Sequence, residues 1–222
     1  MPESLPLFPL GTVLFPGLVL PLHVFEERYR RLMDDLLELP ADEDRRFGVV
    51  AIELGHEVGE SSTRRMAAVG CTAEIQGVNR YEDGRFDVVA VGGRRFRVER
   101  VADPAPYLTA DVTHLPDVAG DGVGPLAESV LRLFRGYAAR LETLGGEIQM
   151  PDELPDDPIR LSYAVAAAMI ADQPDKQRLL EAETAAERLT GTRELLRREL
   201  RVLSRLRTLP AGQFIDKGVS AN

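Results

Sequence analysis

"FPLGTVLFPGLVLPLHVFEERY", residues 8–29, carries three prolines and no charged residue before Glu26. The wider run from Leu5 to Val24 is apolar enough to raise the question of a signal peptide or a membrane anchor. A secretory signal needs a basic start, and no Lys or Arg precedes Arg28. A membrane-spanning helix needs about 20 helix-compatible residues, whereas Pro6, Pro9, Pro16 and Pro21 each remove a backbone donor. The stretch instead reads as two extended segments, within Leu5–Leu14 and Leu18–Leu22. Phe15-Pro16-Gly17-Leu18 joins them as a type II turn, with Pro setting φ and Gly accepting φ > 0. Strands this apolar are expected to be buried on both faces.

The whole 222-residue chain is built for folding in water: 44% of residues are hydrophobic, 28% are charged, and the net charge is −9. That is a globular composition, and the acidic excess argues against nucleic acid as the main partner. A lone cysteine, Cys71, excludes an internal disulfide and a multi-cysteine zinc site. It fits a reducing cytoplasm, with Cys71 as a small core residue.

Downstream of the apolar stretch, Phe25, Tyr29, Leu32, Met33, Leu36 and Leu37 fall on one face of a helix that Pro40 ends. Strands are expected over Phe47–Glu53, Ala67–Tyr81 and Phe86–Val91, with Asp83-Gly84 as a hairpin turn. Gly92-Gly93 reads as another two-residue turn, leading into a strand with Phe96, Val98 and Val101. Tyr107–Leu115 alternates as a last strand. These make a mainly antiparallel, curled or barrel-like β region over residues 1–116. Residues 117–210 turn helical. Leu126, Val130, Leu133, Tyr137, Leu141 and Leu144 form one helical face, and Gly145-Gly146 stops it. Asp157-Pro158 starts the next helix, holding Tyr163, Val165, Met169 and Ile170, and Gln173-Pro174 breaks it. Thr184-Ala185-Ala186-Glu187 is a capping box opening a last long helix. Arg193, Arg197, Arg201 and Arg205 step along one side of that helix as a solvated face. Residues 211–222 read as a flexible tail.

Four motifs resemble the Lon protease N-terminal substrate-binding domain family: "LPLFPLGTVLFPGLVLPLHVFEERYRRLM", "DGRFDVVAVGGRRFRV", "PYLTADV" and "DKQRLLEAETAAERL", in matching order over roughly residues 5–207. The resemblance implies an α+β fold, with a PUA-like β pseudo-barrel followed by an α-helical subdomain ending in a long helix. It also implies a protein-binding module for unfolded or client polypeptides, working with a protease or chaperone. Fold-level analogy to PUA-like domains keeps RNA binding as the alternative.

The chemistry of complete Lon proteases is not legible here. No G-x-x-x-x-G-K-[ST] loop occurs. The two lysines, Lys176 and Lys217, lie in nothing resembling the Lon protease site. His23, His56 and His114 are dispersed without metal-ligand spacing. No catalytic residue, metal or cofactor is therefore expected, and neither ATPase nor peptidase activity. Glu26, Arg28 and Tyr29 match the family's F-E-x-R-Y signature. Glu26 reads as a helix-start carboxylate, with Arg95 or Arg97 as a partner. Phe15, Pro16 and Leu18 are the peptide-binding candidates around Gly17: core if the turn is covered, an apolar contact surface if it is open.

Overall fold

The computed structural model describes residues 3–40, 45–52, 66–102, 106–146 and 154–205. Within them, six strands precede four of the five helices: β1 (Glu3–Leu10), β2 (Val19–Val24), α1 (Glu27–Glu38), β3 (Arg46–Ala51), β4 (Val69–Arg80), β5 (Phe86–Ala102), β6 (Thr109–His114), α2 (Val123–Thr143), α3 (Pro158–Ala168), α4 (Gln173–Glu181) and α5 (Ala185–Arg205). This is the expected α+β architecture. The residues expected to form a tail lie outside the described ones.

The sheet runs β2-β5-β4-β3-β1-β6, and β5 also pairs with β6, which closes five strands into a barrel. The pairings are antiparallel except β1 with β3, where Leu7 lies opposite Gly48 in parallel. β5 makes closure possible because it is long. Its first half, Phe86–Val91, pairs with β2, and its second half, Phe96–Ala102, pairs with β6. β2 is thus an extra edge strand beside the barrel. This corrects the expectation that both opening strands are buried on two faces: β2 alternates, with Val19 exposed and Val24 buried. An edge strand with one solvated face needs only every second side chain in the core. It also tolerates Pro21.

The Asp83-Gly84 turn forms as expected. Gly84 takes φ 81°, and the Tyr81 N–H donates to the Arg85 carbonyl at 2.9 Å. The Gly92-Gly93 turn does not form, and β5 passes straight through it. Neither glycine has a positive φ. They are required by space instead. A Cβ on Gly92 would fall against the Phe15 carbonyl oxygen, and one on Gly93 against Glu74 and Thr72. The first turn docks on this spot: the Gly17 N–H donates to the Gly92 carbonyl (2.7 Å), and the Gly92 N–H to the Leu18 carbonyl (2.8 Å).

α1 buries Tyr29, Leu32, Met33 and Leu36, an i, i+3, i+4, i+7 face, against Phe8, Phe47, Phe86 and Val88 of the barrel. Phe25 lies outside this helix, before its N-cap Glu26. On the helical side, Val118 bridges Thr184 and the Arg140 guanidinium donates to the Leu203 carbonyl. Both ends therefore match, and α2 and α5 run side by side in the same direction. Asp157 caps α3 through the Arg160 N–H (2.9 Å), and Ile170 lies beyond this helix, exposed. The Gln173-Pro174 break also begins α4, capped by Asp172 through the Asp175 N–H (2.9 Å), because Pro is pre-set for a first helical turn. The capping box is formed at Thr184: its hydroxyl accepts from the Glu187 N–H (3.1 Å), and the Glu187 carboxylate accepts from the Thr184 N–H (3.3 Å). Arg197, Arg201 and Arg205 are exposed on α5, and Arg193 is half-buried.

One of the core clusters joins the barrel to the helices. Val13 and Phe15, from the segment between β1 and β2, lie in the same cluster as Phe134, Tyr137, Val165 and Leu189. Of two buried arginines, Arg95 crosses the junction and Arg188 braces the helices beside it. Arg95 of β5 donates to the carbonyls of Leu180 (2.9 Å), Ala182 (2.6 Å) and Pro116 (3.0 Å). Arg188 of α5 donates to Leu179 and Ala182 carbonyls and to the Ser162 hydroxyl, and lies 3.9 Å above the Tyr163 ring. Burial holds Arg188 below the usual arginine value, at about 10, so it is charged at neutral pH. Its cost is met by donating to backbone carbonyls at the end of α4 and to a ring face.

Candidate functional site

Where β2 and β6 diverge from β5, a groove of about 600 Å³ opens between β1 and β2. One wall is Phe8, Pro9 and Leu10 of β1; the facing wall is Leu22, His23 and Val24 of β2. Phe25, Glu26, Arg28 and Tyr29, at the start of α1, also line it, as do Met66, Val101 and Leu108. The lining is mainly apolar with charge confined to the rim, a composition suited to an apolar side chain attached to a polar backbone.

The F-E-x-R-Y residues meet here. Tyr29 is buried and stacks on Phe8, with ring centroids 4.0 Å apart. The Arg28 guanidinium lies 4.6 Å over the Tyr29 ring and donates to Glu26 Oε2 at 2.8 and 3.0 Å. This corrects the expected pairing of Glu26 with Arg95 or Arg97. Arg95 is consumed at the helical junction, and Glu26, the N-cap of α1, makes no side-chain cap because its carboxylate turns to Arg28. Both partners are about half exposed, so the pair can open towards a ligand at little cost.

Phe25 is the most exposed large apolar residue of the described chain, at 62%, and the helical reading of Phe25 as a core residue is corrected here. Its signal was in the sequence. A residue before an N-cap packs against the fourth helical residue as a hydrophobic staple, and that position is Arg30, which gives Phe25 no apolar partner. Met66, Val101 and Leu108 had no such signal, since only barrel closure brings them together.

The turn candidates separate. Phe15 is fully buried in the helical core and does not reach the surface, which corrects its place in an open contact surface. Pro16 is half-buried, Gly17 holds φ 79°, and Leu18 is 39% exposed where β2 begins.

The histidines are structural neighbours of carboxylates. His23 Nδ1 lies 2.7 Å from Asp87 Oδ1, and Tyr81 also donates to Asp87. The His23 bond, and then the Tyr81 bond, hold the Asp87 carboxyl below the usual range. His114 Nε2 lies 2.9 Å from Glu3 Oε2; His56 and Lys217 fall outside the described residues. Lys176 donates to the Ala167 carbonyl at 2.9 Å. Cys71 is buried, and burial pushes its thiol up, which makes it inert. Among the described residues no three His, Cys, Asp or Glu side chains gather as a metal site, and no helix is long and apolar enough to cross a membrane.

Comparison with known proteins bears on the family and the fold. The family model of the ATP-dependent protease La (LON) substrate-binding domain matches residues 4–198. The Lon protease of Cytophaga hutchinsonii is 29% identical over 207 residues, covering 91% of this chain and 25% of that protein. The Escherichia coli Lon protease is 27% identical over 203 residues, covering 90% and 25%. The chain thus spans about a quarter of the curated relatives it matches. Among solved structures, the Lon N-terminal domain protein from Xanthomonas campestris superposes with a TM-score of 0.59 at 25% identity, covering 88% of this chain and 98% of that one. The N-terminal domain of the Mycobacterium avium complex Lon protease gives a TM-score of 0.65 at 21% identity, with the same coverage, and shares the fold. The chain belongs to the ATP-dependent protease La (LON) substrate-binding domain family.

Proposed function

We propose that the groove between β1 and β2 is the seat of a non-catalytic polypeptide-binding module, which takes up exposed apolar segments of unfolded or client proteins and presents them to a protease or chaperone in the cytoplasm. The observation that carries this is Phe25: a large aromatic side chain held in water at the rim of an apolar groove, next to an ion pair that can open. Solvent exposure of that ring is unfavourable by itself, and burial against a client's apolar side chain relieves it. Pro16 and the exposed Leu18 lie at the opposite end of β2 from the groove, and Phe15 anchors that turn in the core.

Titration with reduced and alkylated lactalbumin tests the reading. Phe25→Ser is expected to weaken binding about tenfold, in the range of an aromatic anchor, with the melting temperature unchanged because the ring packs in no core. Equal affinity in a folded Phe25→Ser variant would place the client elsewhere.

A further inference from the structure

One wall of the groove offers backbone as well as side chains. The Gly92 N–H donates to the Leu18 carbonyl at 2.8 Å, and β2 pairs with β5 antiparallel from Val19 opposite Val91 to Val24 opposite Phe86. In an antiparallel ladder the main-chain groups alternate between the two edges. Leu18, Leu20, Leu22 and Val24 therefore direct theirs towards β5, and Val19, Pro21 and His23 direct theirs away. Pro21 falls in the second set, where its missing N–H costs the β2–β5 ladder nothing. β2 has no second neighbouring strand among the described residues, and no backbone bond from another described residue reaches the outward groups of these three. Leu22, His23 and Val24 of this edge also line the groove, and Leu18 and Val19 at its other end are exposed.

We propose that the outer edge of β2 accepts an extended client segment as an added antiparallel strand, whose alternate N–H groups donate to the carbonyls of Val19, Pro21 and His23 while its side chains reach the groove and Phe25. This rests on the polypeptide-binding reading and specifies its mode. Pro21 decides between occupants. In a second copy of the chain paired symmetrically about this position, two Pro21 carbonyls would face each other with no donor between them. A client residue brings the donor that Pro21 lacks. The proline thus blunts self-association of an open edge and leaves it competent for a foreign strand.

The test uses a fluorescein-labelled peptide, TVTFTVT, and the same peptide N-methylated at one residue at a time, with binding followed by anisotropy. N-methylation removes one donor without changing the side chain. Affinity is expected to fall roughly tenfold at every second residue and to change less than about twofold at the residues between. On the protein, Val19→Pro removes an outward N–H that β5 does not use. It should weaken the peptide roughly tenfold while keeping the melting temperature, with Val19→Ala, which keeps the N–H, close to wild type. Uniform effects along the methylated series would overturn the edge pairing, as would a folded Val19→Pro variant that binds as tightly as Val19→Ala. Should Val19→Pro unfold, the methylated series decides alone. Binding that is lost in Phe25→Ser but does not alternate would remove only the added strand, and no binding to the wild-type chain would overturn the groove reading with it.

Discussion

The stacked arginine at the groove rim and the one buried against the helices are built oppositely. Beside the junction of barrel and helices, Arg188 lies over Tyr163, buried, with its donors spent on carbonyls and a hydroxyl. At the groove rim, Arg28 lies over Tyr29, about half exposed, with its donors on one neighbouring carboxylate. The first arrangement cannot let go without leaving buried acceptors unpaired. The second exchanges one polar partner for another, or for water, at small cost. The same contrast separates Phe15 from Leu18, three residues apart. The junction fixes the scaffold, and the rim is free to meet a ligand.

The contrast can be broken by mutation. Phe15→Ala should lower stability by about 3–5 kcal/mol, the range for emptying a buried aromatic site, whereas Leu18→Ala should stay within about 0.5 kcal/mol. Urea unfolding measures both, and similar values for the two would erase the distinction between core and rim. Arg188→Met should cost about 3 kcal/mol, because Leu179, Ala182 and Ser162 lose a buried donor. Arg28→Met should cost about 0.5 kcal/mol or less; a midpoint shift for Arg28→Met as large as that for Arg188→Met would show the rim pair to be structural.

Gly17 sharpens the picture of how the turn seats Phe15. A Cβ there meets nothing within 4 Å, so the cost of a side chain is conformational. Gly17→Val should destabilise by about 1–3 kcal/mol from the positive φ alone, and Gly17→Asn, which tolerates that φ, by less. An unchanged melting temperature for Gly17→Val would show that the turn takes another conformation.

The smallest expected effect belongs to an intermediate case, Glu3, half-buried between His114 and Arg46. Partial burial raises its carboxyl, but the His114 hydrogen bond and the Arg46 charge outweigh this and leave it below its ordinary 4.5. A depressed carboxylate contributes stability that is complete above the unfolded value and is lost as pH falls through the folded one. Stability should therefore decline below about pH 4.5 with a component that Glu3→Gln lacks. Identical pH dependence of the two proteins in acid would remove Glu3 from the barrel's seams.

Much of this architecture is legible in residue order. The capping box at Thr184, the Asp83-Gly84 hairpin and the buried face of α1 depend on neighbours within one turn or one ladder step, so local chemistry suffices to read them. Gly92-Gly93 misleads for the opposite reason. The pair has the composition of a turn, but its glycines answer the Phe15 carbonyl and the side chains of Glu74 and Thr72, which arrive from other strands. Glu26 misleads similarly: the expected distant arginines are further away in space than the one two residues along.

Residue order alone carried the class of fold and most of its elements, because hydrophobic period, proline and glycine punctuation and capping residues act over short distances; four motifs carried the resemblance to a substrate-binding family. Tertiary structure alone decided that β5 runs through its glycine pair to serve β2 and β6 in turn, that Phe15 belongs to the helical core while Phe25 stands in solvent, and that β1 and β2 face each other across a groove without pairing. Those outcomes depend on which surfaces remain uncovered once the barrel closes, and closure is set by contacts between residues far apart in the chain.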